Sequence, residues 1–402
     1  MRTFLVLLLA YVLSQFFRAF LAVVAGDLSR DLGLGPADLG AMAAAWFWAF
    51  AAAQLPLGYA LDHLGPRRTL GLTMLSAVAG AAWLSAAGGP VEAIGAMALI
   101  GIGCAPVLMA GYYMLARLYP VRSFALMSSL LLGLGSMGDP LSATPLALAT
   151  SAFGWRTTML GIAAVTALSA LLVWLCLRDP PRLDHARAHP SFMRGLAEMV
   201  SIRAIWPIVP LALVGYGVVI SLRGLWIAPY LAEVHGFGKT ALGHAALLMG
   251  LSMALGSLAY GPLERVIGAP KPLALVGTLT AAAALVLLGF SGETHPALAV
   301  SMLALIGASG STYALLMAHA RASIPTHLLG RGITFMNFVF MSGGGLMQWL
   351  SGRFVQGAAS SGLPSSVVYS RLQLGFAVIL LVGAVIYAGA PGRPEPCPDG
   401  SP

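Results

Sequence analysis

The 402-residue chain is 58% hydrophobic and only 9% charged, with a mean hydropathy of +0.86, whereas soluble domains carry roughly 25% charged residues. This composition excludes a soluble enzyme and predicts an all-α polytopic membrane protein. The net charge of +8 lies between apolar runs in the pattern of a positive-inside bias, so the partner it implies is a lipid bilayer and not a nucleic acid.

The first apolar run extends from Phe4 to Gly26 and carries Tyr11, Ser14, Gln15 and, well inside, Arg18. At about 1.5 Å per residue the arginine sits ~12 Å from the nearer end, deeper than its side chain snorkels comfortably. Arg2 ahead of the run resembles the start of a signal peptide, but the polar residues within it and the further runs behind it predict a retained helix. In all, twelve runs of about 20 residues are long enough to cross a hydrocarbon core of about 30 Å. They fall near 4–25, 38–60, 69–88, 93–115, 124–149, 157–177, 205–230, 241–262, 272–290, 296–318, 332–352 and 370–389. The longest polar stretch, Arg178 to Gly195, follows the sixth run. The expected architecture is twelve transmembrane helices in two pseudo-symmetric six-helix bundles, an N-terminal one over 1–177 and a C-terminal one over 204–389. A cytoplasmic linker covers 178–203 and a disordered cytoplasmic tail 390–402.

With the N-terminus inside, fifteen Lys and Arg fall on the cytoplasmic side and five on the other; Arg18 and Arg223, in the membrane, complete the 22. Both termini are therefore expected in the cytoplasm, and the chain in the cytoplasmic (inner) membrane as a monomer. The two halves repeat each other, a signature of secondary transporters. Arg18 maps to Arg223, Ala98–Gly101 (ALIG) to Ala304–Gly307, Ala116–Pro120 to Ala320–Pro325, and Leu61–Arg68 to Leu263–Lys271. Three cysteines, Cys104, Cys176 and Cys397, form no disulfide framework, and no metal-ligand cluster, phosphate loop or nucleophile and base pair is evident. Neither a cofactor nor catalysis is expected.

Between the second and third runs stands GYALDHLGPRR, with Gly58, Asp62, Gly65, Arg67 and Arg68. It closely resembles the signature loop of the major facilitator superfamily, G-x-x-x-D-[RK]-x-G-x-[RK]-[RK], at the position where that family carries it. A degenerate copy with Glu264, Arg265, Gly268 and Lys271 stands in the second half. The resemblance implies a latch that ties the cytoplasmic ends of the two bundles together when the transporter faces outward. His63 stands where the family has Arg or Lys, which implies a weaker or pH-sensitive latch. Met97 occupies the place of the arginine that many proton-coupled members carry, and GLGSMGDP (Gly133–Pro140) matches the antiporter pattern only in part.

Three charges remain inside the membrane: Arg18, Asp139 and Arg223. Holding each there costs roughly 2.5–3.5 kcal/mol on insertion scales, so each needs a partner or a wet cavity. Tyr11 and Gln15 share a helical face with Arg18, and Tyr216 and Trp226 with Arg223. The resemblance places the first and seventh helices on a central cavity, as in the organophosphate and phosphate antiporters of the superfamily. Guanidinium forks suit carboxylate or phosphate. The expected substrate-binding set is thus Arg18, Arg223, Gln15, Tyr11, Tyr216, Trp226, Tyr112, Tyr313 and Asn337. Asp139 has two readings: a proton-coupling carboxylate, or a structural ion-pair partner of Arg18 that leaves Arg223 to backbone carbonyls or solvent. The expected function is alternating-access transport of a small organic or phosphorylated anion with possible proton coupling. The alternatives are a drug or hydrophobic-compound exporter and a transporter-like sensor without flux.

Overall fold

A computed structural model describes residues 2–179, 198, 201–291, 295–325 and 328–391. Most of the linker expected at 178–203, the tail beyond Pro391 and Cys397 lie outside the described residues. The same holds for the side chains at Gly58 and Asp62.

Every described element is helical, as it must be where lipid offers the backbone no hydrogen-bond partner. In the first half, the expected first run is α1 (Arg2–Ala19) followed by α2 (Leu21–Leu32), and the second is α3 (Pro36–His63). The third run is α4 (Pro66–Ala86), and the fourth is split into α5 (Pro90–Cys104) and α6 (Val107–Leu118). The fifth is broken into α7 (Val121–Gly135), α8 (Gly138–Leu141) and α9 (Thr144–Phe153), and the sixth is α10 (Trp155–Cys176). In the second half come α11 (Val209–Ser221), a π-helical segment (Leu222–Trp226), α12 (Ile227–His235), α13 (Lys239–Ile267) and α14 (Pro270–Ser291). They are followed by α15 (Pro296–Gly310), α16 (Tyr313–Ala322), α17 (Leu329–Ser360) and α18 (Ser365–Ala388). Pro36, Pro66, Pro90 and Pro296 open their helices at the position where a missing N–H costs nothing.

Among the described residues, nine helical stretches are long and apolar enough to cross a membrane. The runs expected at 38–60 and 332–352 fall on α3 and α17, and the run at 124–149 falls on the broken α7–α9. Breaks recur at equivalent places in the two halves. The fourth run parts after Cys104 and the tenth after Gly310. The first is interrupted at Phe20, and the seventh changes to π geometry around Arg223. Interrupted helices near the bilayer midplane are where transporters place their polar sites.

The turns alternate between two ends of the molecule. One, the linker end, carries the turn 63–66 and the residues around 118–121; the other, the far end, carries 33–35, 153–155, 236–238 and 361–364. The two halves meet mainly through α3 against α17 and through α8 and α9 against α13. Glycines permit the close approach: a Cβ on Gly40 would lie 2.6 Å from the Gln348 carbonyl oxygen, and one on Gly352 would lie 2.7 Å from that of Pro36. These contacts, with Gly243 against Thr144, lie toward the far end. The linker-end pieces α6 and α7 pack on α1 and on each other. Among the described residues, the contacts between the halves thus lie at the far end and in the middle.

Candidate functional site

Arg18 is the penultimate residue of α1, two residues before the interruption at Phe20. Its guanidinium carbon lies 5.8 Å from the Trp46 ring centroid and 6.0 Å from that of Phe50. Those two rings sit one turn apart on α3 and stack on each other at 5.1 Å. The hydroxyls of Tyr11, Tyr216 and Tyr313 and the Cys104 thiol act on the same guanidinium electrostatically. Among the described residues no carboxylate pairs with Arg18, and its Nε is buried without a hydrogen-bond partner. A cation held by ring faces and tyrosine hydroxyls, with no carboxylate beside it among the described residues, retains donor capacity for an anion.

Arg223 stands differently. It is 0% exposed, and its Nη2 donates to Asp139 Oδ2 at 3.0 Å and to the Asp139 carbonyl oxygen at 3.3 Å. The ion pair joins the first half to the second. Asp139 is thereby the partner of Arg223 and not of Arg18, and Arg223 reaches a carboxylate as well as a backbone carbonyl. Two glycines make the pairing possible. A Cβ on Gly250 of α13 would lie 2.3 Å from Asp139 Oδ2, and one on Gly138 would lie 2.0 Å from the Val12 carbonyl oxygen, so α8 rests directly on α1 and its carboxylate directly on α13. Arg223 Nε and Nη1 remain buried without partners.

A second bridge between the halves is neutral. Asn337 Nδ2 donates to Gln54 Oε1 at 2.7 Å, and the Tyr313 hydroxyl donates to Asn337 Oδ1 at 3.1 Å. Tyr216 packs between them and the first half, with its ring 5.9 Å from Tyr313, 6.1 Å from Phe340 and 6.5 Å from Phe47. Its hydroxyl lacks a well-formed hydrogen bond, as do Gln15 Oε1, Trp46 Nε1 and Gln348 Oε1. Buried polar atoms without partners cost about 1–3 kcal/mol each, and here they gather around the two arginines. Tyr11 is buried against Gly135, and Tyr112 is half-buried within electrostatic reach of it.

The sequence expectation and the geometry part company at Trp226. Its Nε1 donates to Ser351 Oγ at 2.7 Å and its ring packs on Tyr369 at 6.3 Å, so it fastens the seventh span to α17 and α18. The π segment is the reason: its wider turn rotates every later residue away from the face that a regular helix would give it. Gln54, Trp46, Phe50 and Gly250 were not anticipated. Gln54 was readable as the polar residue inside an otherwise apolar run, and Trp46 with Phe50 as aromatics one helical turn apart. Gly250 carried no signal of its own.

The residues expected to form a latch that are described with their side chains, Gly65, Arg67, Arg68, Glu264 and Arg265, lie at the linker end. Gly65 turns at φ +85°, the Arg67 N–H donates to Asp179 Oδ1 at 2.7 Å, and the Arg67 guanidinium lies 5.6 Å from the Trp174 ring. Arg68 and Arg265 are exposed and Glu264 is half-buried. At the far end Lys239 Nζ pairs with Asp27 Oδ2 at 2.8 Å, joining α13 to α2. His319, deep at the linker end of α16, shares a hydrogen bond with the Tyr387 hydroxyl at 2.7 Å and donates from Nε2 to the Pro391 carbonyl oxygen at 3.0 Å.

Comparison with known proteins bears on this arrangement. The family model described as Major Facilitator Superfamily matches residues 7–348. The chain belongs to the major facilitator superfamily. Solved structures of this superfamily share its two-bundle fold. A bacterial homolog of the human lysosomal transporter Spinster, in an inward-facing and unoccupied conformation, superposes with a TM-score of 0.79 at 18% identity, over 96% of each chain. A D-xylose-proton symporter gives 0.75 at 16%, over 94% of this chain and 96% of that one. The nucleoside transporter NupG gives 0.76 at 15%, over 97% and 99%. Among curated sequences, a probable L-galactonate transporter of Escherichia coli (strain K12) is 24% identical over 277 residues, 64% of this chain. The match spans 60% of that relative's length. As a member of this superfamily, the chain is a multi-pass membrane protein.

Proposed function

We propose that this major facilitator protein carries a small organic anion, a hydroxylated monocarboxylate, across the cytoplasmic (inner) membrane by alternating access. The observation that carries the reading is Arg18: a mid-membrane guanidinium with ring faces on its flanks and no carboxylate partner among the described residues. A carboxylate completes its fork, and the hydroxyls of Tyr11, Tyr216 and Tyr313 with the amides of Gln15 and Asn337 suit a polyol chain. Galactonate, named for the curated relative, has this chemistry. A phosphate monoester, near −2 at pH 7, asks for a second free cation, and Arg223 is already paired.

In this reading both termini are cytoplasmic, and the described state, joined at the far end, faces the cytoplasm. The drug-exporter alternative needs Arg18 to be a structural residue, and among the described residues it has no ion pair. Asp139 is the group we assign to proton coupling, because opening the far end must part α8 from α13 and so remove the arginine from its carboxylate.

The test is binding and counterflow of D-gluconate with the purified protein in liposomes. The wild type binds and exchanges it, and Arg18→Gln weakens binding at least ~30-fold, the worth of one charge-assisted pair of about 2 kcal/mol, while the protein stays folded. Unchanged gluconate binding in Arg18→Gln, or transport of lipophilic cations with no anion bound, overturns the reading. For coupling, Asp139→Asn flattens the pH dependence of uptake; an unaltered profile removes Asp139 from that role.

A further inference from the structure

We infer that Asp139 sets the charge of the cargo: by neutralising Arg223 it leaves the cavity with one uncompensated cation and so restricts the protein to monoanions. The inference rests on Arg18 being the cation that holds the cargo.

The repeat gives the two halves equivalent arginines, each seven residues after a tyrosine. A pair of free guanidinium forks facing one cavity would favour a dianion. The second half does not present its fork in that way. Asp139 occupies Arg223 through Nη2 alone, at 3.0 Å, and leaves Nε and Nη1 buried and unpartnered. Arg223 is 0% exposed and the Asp139 side chain 25%, so the carboxylate is the more accessible member of the pair.

The seat of that carboxylate is built by three elements. It belongs to α8, which Gly138 lets rest on α1; it faces the π segment through Arg223; and it lies against α13 where only a glycine, Gly250, leaves room. The same packing seats the π segment on the end of α1, since a Cβ on Gly224 would lie 3.6 Å from the Arg18 carbonyl oxygen, and Tyr216 lies within electrostatic reach of both Arg18 and Asp139. Through Tyr216 the charges of Arg18, Arg223 and Asp139 present themselves to the cargo as one unit of net charge +1. A monocarboxylate brings that unit to zero. A dianion leaves one negative charge without compensation in a low-dielectric cavity, where such a charge is costly. Removing the carboxylate with an isosteric amide raises the unit to +2 and exposes unused donors on Arg223 to a second acidic group.

The experiment compares D-gluconate with D-glucarate, the dianion of the same carbon skeleton, binding to the full-length protein in nanodiscs. The wild type is expected to prefer gluconate by at least ~10-fold, and Asp139→Asn to tighten glucarate by at least ~10-fold, the scale of a single ion pair. Arg223→Gln alone leaves Asp139 as an uncompensated anion and weakens gluconate at least ~10-fold although Arg18 is intact. Adding Asp139→Asn to it restores gluconate and removes the gain for glucarate. This rescue remains readable if Asp139→Asn alone does not fold, and a pair that served structure only would not produce it. An unchanged glucarate-to-gluconate ratio in Asp139→Asn, or failure of the double variant to restore gluconate, overturns the inference. Loss of gluconate in Arg18→Gln with an unchanged ratio in Asp139→Asn sinks the inference alone. Absence of gluconate binding in the wild type with glucarate gained in Asp139→Asn sinks the cargo reading and leaves the charge rule standing.

Discussion

At the scale of single residues, two arginines that the sequence presents as equals have different physical tasks. Arg18 lies against Trp46 and Phe50 at 5.8 and 6.0 Å, where a flat, weakly hydrated guanidinium stacks well and an ammonium does not. Arg18→Lys keeps the charge and is expected to lose both the stacking and the bidentate geometry. The expected outcome is gluconate affinity reduced at least ~10-fold with thermal stability within ~1 kcal/mol of wild type, read by calorimetry and by unfolding in detergent. Affinity equal to wild type would mean that charge alone holds the cargo. The presence of Arg18, Arg223 and Asp139 in the membrane was legible in the sequence, because charges in apolar runs announce themselves. Their pairing was not, since Arg223 and Asp139 are 84 residues apart and belong to different halves. Helical spacing ranks neighbours along one helix and is silent about which partner another helix brings.

At the scale of elements, the breaks matter more than the spans. The hydrophobic runs and the repeat were readable because lipid demands about 20 apolar residues per crossing. The π segment at Leu222–Trp226 was not, although Pro229 stands within a turn of it and leaves the Leu225 carbonyl without its i→i−4 donor, and it is the feature that turns Trp226 toward Ser351. Glycine positions on α13 and α8 likewise acquire meaning only from what they touch. Gly250→Ala places a methyl group 2.3 Å from Asp139 Oδ2, too close to coexist with the ion pair. The variant is expected to lose on the order of 1–3 kcal/mol of stability and to shift gluconate and glucarate selectivity in the direction of Asp139→Asn. Thermal unfolding and the two binding curves together check this; a stability loss without any change in selectivity would separate Gly250 from the charge rule. Asn337→Leu tests the neutral bridge in the same way. It strands Gln54 Oε1 and the Tyr313 hydroxyl, at an expected cost of about 1–3 kcal/mol measured as a lower unfolding midpoint, with no change in cargo charge preference.

At the scale of the whole molecule, two ion pairs at different depths join the halves among the described residues. Asp139 and Arg223 form the inner one, and Asp27 with Lys239 the outer one, where the Lys239 side chain is 42% exposed. Water and salt screen the outer pair at its lysine, and the Asp27 carboxylate, 6% exposed, keeps a second cation in Arg30 Nη1 at 3.4 Å, so loss of Lys239 costs little. The inner pair is held by a residue without exposure, and breaking it leaves an uncompensated charge that costs several kcal/mol. The equilibrium between far-end-closed and far-end-open states should therefore answer to the inner pair far more than to the outer. Spin labels on cysteines introduced at Ser151 and Thr240, exposed positions of α9 and α13, report the far-end gap. Lys239→Gln is expected to leave the distance distribution close to wild type. Asp139→Asn is expected to add a longer-distance population, because the closed state loses its pair while the open state, with α8 already apart from α13, loses nothing. Gluconate should shift that population only as far as it binds the two states differently. If Lys239→Gln opens the far end as readily as Asp139→Asn, burial is not what gives the inner pair its weight, and the control of access lies at the surface instead.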